Sequence, residues 1–316
     1  MPETTAKFFL RTQHLAKNIM TRSFGSFSLL LLLLCFSLAS LSFFGSSLSL
    51  PSFDDGLVRD KFYALAAAAF PPKPTACLQK RFPGAQVLKV VNVVCDSLNS
   101  TCAAFLAVSY EEKALLLSFR GSSGETQLMD EILTSAVKKT PFPEVGGAAH
   151  SYFLHAFRAL WSAGLEETVR AAAKAHPGYE LWVTGHSLGA ALASLAASSV
   201  SAAGLVAPSA IRLVSFGQPR SGNAAYADAH DRLVPLAFRV THFRDLVVRL
   251  PPQHVLGFRH HATEVFYPND MTTANFTVCV GQEDSNCSIG QIRFSWALHE
   301  VYFGLPASAW GFDGCP

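Results

Sequence analysis

"ELWVTGHSLGAALASLAA", residues 180–197, joins two runs of opposite character through the five residues GHSLG. The first run, "ELWVTG" (180–185), has the length and apolar content of a strand, whereas residues 190–197 hold five alanines and read as a slim helix. GxSxG permits a sharp strand-to-helix turn that lifts the Ser187 hydroxyl off a sheet. Small residues on the helix let it press close against that sheet. A serine at a helix N-terminus meets unpaired backbone N–H groups and the positive end of the helix dipole, a setting that suits a developing oxyanion and hence acyl chemistry. The plain alternative is a helix N-cap serine.

The same alternation recurs around this joint. "VLKVVNVV" (87–94), "AAFLAVSY" (103–110), "ALLLSFRG" (114–121), "IRLVSFG" (211–217) and "LAFRVTH" (236–242) read as strands. Several are continuous apolar runs, as expected of strands buried on both faces. Helical spacing covers 127–139, 149–175, 188–203 and 222–234. Strands alternating with helices of this length imply an α/β fold with a mostly parallel sheet covered on both faces. Between 103–110 and 114–121 only Glu111, Glu112 and Lys113 intervene, so that pair is expected to be antiparallel and the sheet mixed. Pro-rich "FPPKPTA" (70–76) reads as an irregular connection, and no internal repeat or second domain is visible after residue 53.

The 316 residues suffice for one large domain, and half of them are hydrophobic, which argues against disorder. The formal charge of +2 resides in the N-terminal segment, where Lys7, Arg11, Lys17 and Arg22 face only Glu3. The remaining chain is close to neutral and shows no basic stripe, so nucleic acid is not an expected partner. Between Ser23 and Phe53 no charged residue occurs, and "FSLLLLLLCFSLASLSFF" (27–44) is almost wholly apolar behind a basic N-terminus. Residues 1–50 therefore read as a signal peptide or an uncleaved signal anchor, and 51–316 as the working domain. Either version delivers the domain to an oxidising compartment, secreted or on the far side of a membrane.

Cysteine usage agrees with that delivery. Outside the apolar run six cysteines remain, and their spacing suggests local loops Cys95 with Cys102 and Cys279 with Cys287, leaving Cys77 for Cys315. No CxxC or paired His-Cys spacing points to a metal site, and no cofactor is called for. Glycosylation sequons stand at Asn99, Asn275 and Asn286.

A neutral serine is a poor nucleophile and needs an imidazole base, itself oriented by a carboxylate. In chain order the acid and then the histidine should follow Ser187. Asp245, in "FRVTHFRDLVVRLPP" (238–252), is the best-placed acid, just beyond a strand. The pattern of residues leaves His254, His260, His261 and His299 open as the base. His186 is disfavoured, because neighbouring side chains at the elbow point apart.

These stretches, with "LLLSFRGSSGETQL" (115–128), "SYFLHAFRALW" (151–161), "LVSFGQPRSGN" (213–223), "FRHHATEVFYP" (258–267) and "ALHEVYFG" (297–304), stand in one order. Together they resemble the class 3 lipases of the α/β-hydrolase superfamily, especially the secreted animal branch best known from nematodes. The resemblance implies Ser187 as nucleophile, Asp245 as acid, His299 as base and a structural role for His260. It makes Ser122 an oxyanion donor, joined by the backbone N–H of Leu188. Three positions depart from the family pattern: Val248 for proline, Leu298 for an acidic residue and Ala190 for glycine.

The implied activity is hydrolysis of a lipid ester, triacylglycerol-lipase-like, with phospholipase and feruloyl or carboxyl esterase as alternatives on the same triad. A non-catalytic lipid-binding protein is the alternative from another class. Leu128, Met129, Ile132, Leu133, Ala136 and Val137 share one helical face. That stripe reads either as core packing or as a movable lid at a lipid–water interface.

Overall fold

The computed structural model describes residues 52–96, 99–122 and 138–316. The leader expected over 1–50 and the apolar stripe expected over 128–137 lie outside these residues. In chain order the strands are β1 (Gln86–Val94), β2 (Thr101–Ser109), β3 (Ala114–Phe119), β4 (Lys139–Pro141), β5 (Ala148–His150), β6 (Glu180–His186), β7 (Ile211–Phe216), β8 (Gly222–Asn223), β9 (Leu236–His242), β10 (Phe258–Arg259), β11 (Glu264–Tyr267) and β12 (Thr277–Cys279). Eight of them form the central sheet, in the order β1-β2-β3-β6-β7-β9-β11-β12. From β3 to β11 neighbours run parallel, and β1, β2 and β12 are antiparallel to theirs. The mixed α/β sheet expected from the short 111–113 turn is therefore present. A small antiparallel sheet, β10-β8-β5-β4, is built from segments too short for periodicity to reveal.

The apolar runs are continuous because both faces of the sheet are buried. Leu115, Leu117 and Phe119 of β3, with Leu181 and Val183 of β6, pack on the side covered by helices Ser151–Leu160, Glu166–Ala175 and Leu188–Ala202. Leu116 and Trp182 point the other way and meet Phe62, Tyr63 and the alanines of Ala64–Ala67, with Phe62 stacked on Trp182 at 4.8 Å. Each fully buried large aliphatic or aromatic side chain contributes about 1.5–3 kcal/mol. Helix Leu188–Ala202 is buried nearly all round, which is why its sequence is alanine and serine without a polar stripe.

Two expectations change in detail. The helical segment expected over 149–175 is broken by a π-helical turn, Trp161–Leu165, in which Gly164 has φ 97°. The Pro-rich connection ends at Pro74, and a helix, Thr75–Arg81, follows at once. Asp55–Ala67, unassigned by periodicity, forms a helical entry containing a π-turn. Its Ala64–Ala67 end is buried on every side.

Three disulfides, Cys77–Cys315, Cys95–Cys102 and Cys279–Cys287, follow the pairing suggested by spacing. Cys77–Cys315 spans 238 residues and ties helix Thr75–Arg81 to the C-terminus, where Arg81 also donates to the carbonyls of Cys315 and Pro316. Asn99, Asn275 and Asn286 are all exposed. Replacing Cys77 and Cys315 together by alanine should cost about 2–5 kcal/mol of stability, because a long loop is freed in the unfolded chain. Urea unfolding measures this, and an unchanged midpoint would contradict it.

Candidate active site

Ser187 sits at the end of β6 with φ 60° and ψ −126°, a conformation that non-glycine residues rarely adopt. The turn is tight enough that neither flanking glycine tolerates a side chain. A Cβ on Gly185 would lie 2.4 Å from the Gly189 backbone, and one on Gly189 would lie 2.2 Å from the Phe119 carbonyl oxygen. The Ser187 N–H donates to the Phe216 carbonyl at 2.9 Å, fastening the elbow to the end of β7. Ser187 Oγ is buried and has no hydrogen-bond partner among the described residues. Helix Leu188–Ala202 begins at the next residue, so the Leu188 N–H belongs to its unpaired N-terminal set.

Asp245 follows β9. Its backbone N–H returns to the His242 carbonyl, and the next chain segment leaves through a bridge between Asp245 and Ser295. This bridge brings the C-terminal segment alongside the acid. His299 then donates from Nδ1 to Asp245 Oδ2 at 2.9 Å, Tyr302 Oη donates to the same oxygen at 2.7 Å, and the Val247 N–H donates to Oδ1 at 2.8 Å. Both His299 and Asp245 are about 99% inaccessible, each being 1% exposed. Burial alone pushes the Asp245 carboxyl up, but the charge of His299 and the bonds from His299, Tyr302 and Val247 outweigh it and hold it below its ordinary range. With Nδ1 committed to the carboxylate, His299 Nε2 remains buried and without a hydrogen-bond partner among the described residues.

Room for this pair comes from Gly217, at φ 58° just after β7. A Cβ there would fall 2.8 Å from His299 Cε1 and 3.1 Å from Asp245 Oδ2. Since Phe216 also accepts from Ser187, the turn at 216–217 touches the serine on one side and the Asp-His pair on the other. On the far side of the elbow, a Cβ on Gly121 would meet the His186 carbonyl oxygen at 2.9 Å. Ser122 is the residue that follows it.

The structure separates the four downstream histidines. His299 alone among them bonds Asp245. His260 is buried and donates from Nε2 to the Val248 carbonyl, which holds the acid-bearing loop from behind. His261 is engaged at both nitrogens, by the Ala262 carbonyl and by Gln218, while His254 is exposed on the helix Gln253–Leu256. Among the described residues, one group has metal-ligand composition: His230, Asp231 and His261. There the His230 and His261 rings stack at 3.7 Å, and Asp231 accepts from the Ala262 N–H and from Gln282. Buried Arg239 lowers the affinity of His230 for a proton, after burial itself, so the neighbourhood is cationic and suits a neutral stacked pair better than a cation.

Sequence reasoning missed Tyr302, Gly217 and His242 at the site. All three lie inside quoted motifs, "ALHEVYFG", "LVSFGQPRSGN" and "FRVTHFRDLVVRLPP", but nothing in their local pattern reports a contact across 57, 82 or 56 residues.

A serine-bearing strand-to-helix elbow on a central, mostly parallel sheet, with an aspartate just after a later strand bonded to a histidine on a C-terminal helix, is the arrangement of the α/β-hydrolase fold. The family model "Lipase (class 3)" matches residues 116–255. A lipase of Caenorhabditis elegans is 32% identical over 286 residues, covering 80% of this chain and 80% of that protein. A secreted mono- and diacylglycerol lipase of Fusarium solani is 32% identical over 205 residues, 63% of this chain and 59% of that protein. Among solved structures, a triacylglycerol lipase whose catalytic centre is described as a serine protease triad matches with a TM-score of 0.70 at 26% identity, covering 81% of this chain and 97% of that one. The chain belongs to the class 3 lipase family and is a carboxylic ester hydrolase.

Four histidines near or behind the site are buried uncharged. Burial, then the charge of His299, lowers His186 to about 3, and burial, then Arg239, lowers His230 to about 3. His260 lies well below 6.5 through burial, Arg239 and Arg220, and His261 through burial, His230 and Arg239. The unfolded chain takes up protons near 6.5, whereas the folded chain does so only far below. Stability is therefore complete above that value and falls as pH drops through the window toward about 3. Thermal unfolding should show a lower Tm at about pH 5 than at about pH 8. Equal values would contradict the neutral burial of these rings.

Proposed function

We propose that residues 51–316 form the catalytic domain of a secreted lipase that cleaves acylglycerol esters through an acyl-enzyme on Ser187. Delivery by the segment 1–50 is consistent with the three disulfides, and the Fusarium relative is itself a secreted enzyme. No helix among the described residues is long and apolar enough to cross a membrane. Lipid esters follow from the family, and acylglycerols from what the relatives act on.

The observation that carries the reading is the Asp245–His299 hydrogen bond with His299 Nε2 and Ser187 Oγ both buried and unengaged. In the first half-reaction, His299 Nε2 takes the Ser187 proton while Oγ attacks the ester carbonyl. The bond between the carbonyl carbon and the leaving oxygen then breaks, and the imidazolium returns its proton to the departing alcohol. Water repeats the sequence on the acyl-enzyme and releases the fatty acid. The negative oxygen formed at each stage is held by the Leu188 N–H and Ser122, supported by the dipole of the helix that starts at Leu188. Asp245, kept ionised by its three donors, fixes the His299 tautomer and balances the imidazolium charge.

Ser187→Ala should abolish hydrolysis of both a soluble short-chain ester and an emulsified acylglycerol, and Asp245→Asn should lower kcat by about 10⁴-fold. Ser122→Ala should cost about 100- to 1,000-fold. Full activity in Ser187→Ala would refute the acyl-enzyme. A substrate panel in which phospholipid or a feruloyl ester is cleaved faster than acylglycerols would overturn the substrate assignment and leave the triad standing.

A further inference from the structure

The base of the proposed triad sits on poorly supported chain. His299 lies on a four-residue helix, Ala297–Glu300, with no side-chain cap, preceded by a loop in which Ile292 and Phe294 are exposed. Catalytic groups need placement within about 0.5 Å and 10–20°, which such a segment does not supply alone. Asp245 and Tyr302 fix only the Nδ1 edge of the ring and its partner oxygen. The bridge at Ser295 holds the chain four residues upstream, and the backbone at His299 and its ring plane need further support.

Two further histidines, at the C-terminal ends of β6 and β9, meet this segment. His186 Nε2 lies 2.8 Å from the His299 carbonyl oxygen, and its ring stacks on the His299 ring at 4.6 Å and 28°. His242 Nδ1 lies 2.9 Å from the Leu298 carbonyl oxygen and 2.7 Å from that of Val301. Carbonyls only accept, so each histidine donates an N–H here. Strand β7 lies between β6 and β9 in the sheet, and its end carries Gly217, whose missing side chain leaves space for the His299 ring. The three carbonyls held this way, at 298, 299 and 301, bracket the base.

We propose that His186 and His242 are positioning residues that form a clasp across β7: their N–H groups grip the backbone on both sides of His299, and the His186 ring backs the His299 imidazole. This assignment rests on His299 being the base, the reading proposed above. It gives His186, unsuited to be the base, a definite task beside Ser187. A phenyl ring could back the imidazole but offers no N–H, and an amide offers N–H without an equivalent ring. Histidine supplies both while staying uncharged, since burial and the charge of His299 hold His186 at about 3 against the opposing pull of its bond to the His299 carbonyl and of Asp245. An uncharged ring at this distance does not repel the imidazolium that forms when His299 takes the serine proton.

Four variants test the clasp on a soluble short-chain ester, so that lipid binding does not enter: His186→Phe, His186→Gln, His242→Phe and His242→Asn. His186→Phe and His242→Phe should each lower kcat by about 10- to 100-fold, with KM changed less than about 2-fold, as expected when a base is misplaced by a fraction of an ångström to an ångström. Donor-retaining His242→Asn should recover much of the loss, and His186→Gln part of it. In proton NMR the low-field resonance of the His299 Nδ1–H should broaden or move in the phenylalanine variants while the Tyr302 and Asp245 side chains remain present. If both phenylalanine variants keep wild-type kcat and an unmoved resonance, the clasp is wrong. If either phenylalanine variant fails to fold, the matching amide variant decides: a kcat between those of the wild type and His299→Ala, with the resonance moved, supports the clasp, whereas wild-type kcat with an unmoved resonance, or a loss as deep as His299→Ala, contradicts it. A His299→Ala variant that hydrolyses the ester at the wild-type rate would instead refute the base assignment itself.

Discussion

The hydrogen bond from His299 Nδ1 to Asp245 Oδ2 at 2.9 Å is the contact on which the rest of the site depends. It joins chain segments 54 residues apart, and it can form only because Gly217 leaves its Cβ position empty and because the bridge at Asp245 and Ser295 brings the two segments together. Once Nδ1 is committed, the opposite nitrogen is the one available for proton transfer. Tyr302 and the Val247 N–H complete the carboxylate's shell, so the charge of Asp245 persists despite complete burial. An unpaired carboxylate in that position would have taken up a proton and lost its grip on the imidazole.

The sheet explains why such a contact can be built here. Its parallel strands all end at one edge, and β6, β7 and β9 deliver the elbow, the glycine turn and the acid side by side. Both faces are sealed by separate apolar clusters, so those strand ends start from a rigid platform. The cost of the strained serine backbone is met by the packing on either side of it: Gly185 against Gly189, and Gly189 against the end of β3. The same close approach accounts for the alanines of helix Leu188–Ala202.

Much of this is legible in the sequence. The elbow announces itself because its glycines and serine are contiguous, and strands buried on both faces announce themselves as unbroken apolar runs. Two disulfide pairs followed from short loops, and Cys77–Cys315 was the pair they left. What stayed hidden is what depends on distant contacts or on breaks in periodicity. Neither spacing nor composition distinguishes His299 from His260, since both are histidines after the acid, and only the fold shows that one bonds Asp245 and the other the Val248 carbonyl. Asp55–Ala67 was silent because its alanine end is buried all round and carries no polar face, and residues 149–175 concealed a π-turn at Trp161–Leu165. Tyr302, His186 and His242 meet Asp245 and the His299 segment through a shared oxygen or backbone carbonyls, relations that a linear pattern does not encode.

The central claim is that Ser187 becomes covalently acylated with His299 as its base. Mass-spectrometric mapping of the protein after reaction with a serine-reactive fluorophosphonate tests it most directly. The account predicts one adduct, on Ser187, forming far more slowly in His299→Ala and Asp245→Asn than in the wild type. An adduct on another residue, or labelling of Ser187 at an undiminished rate without His299, would contradict it.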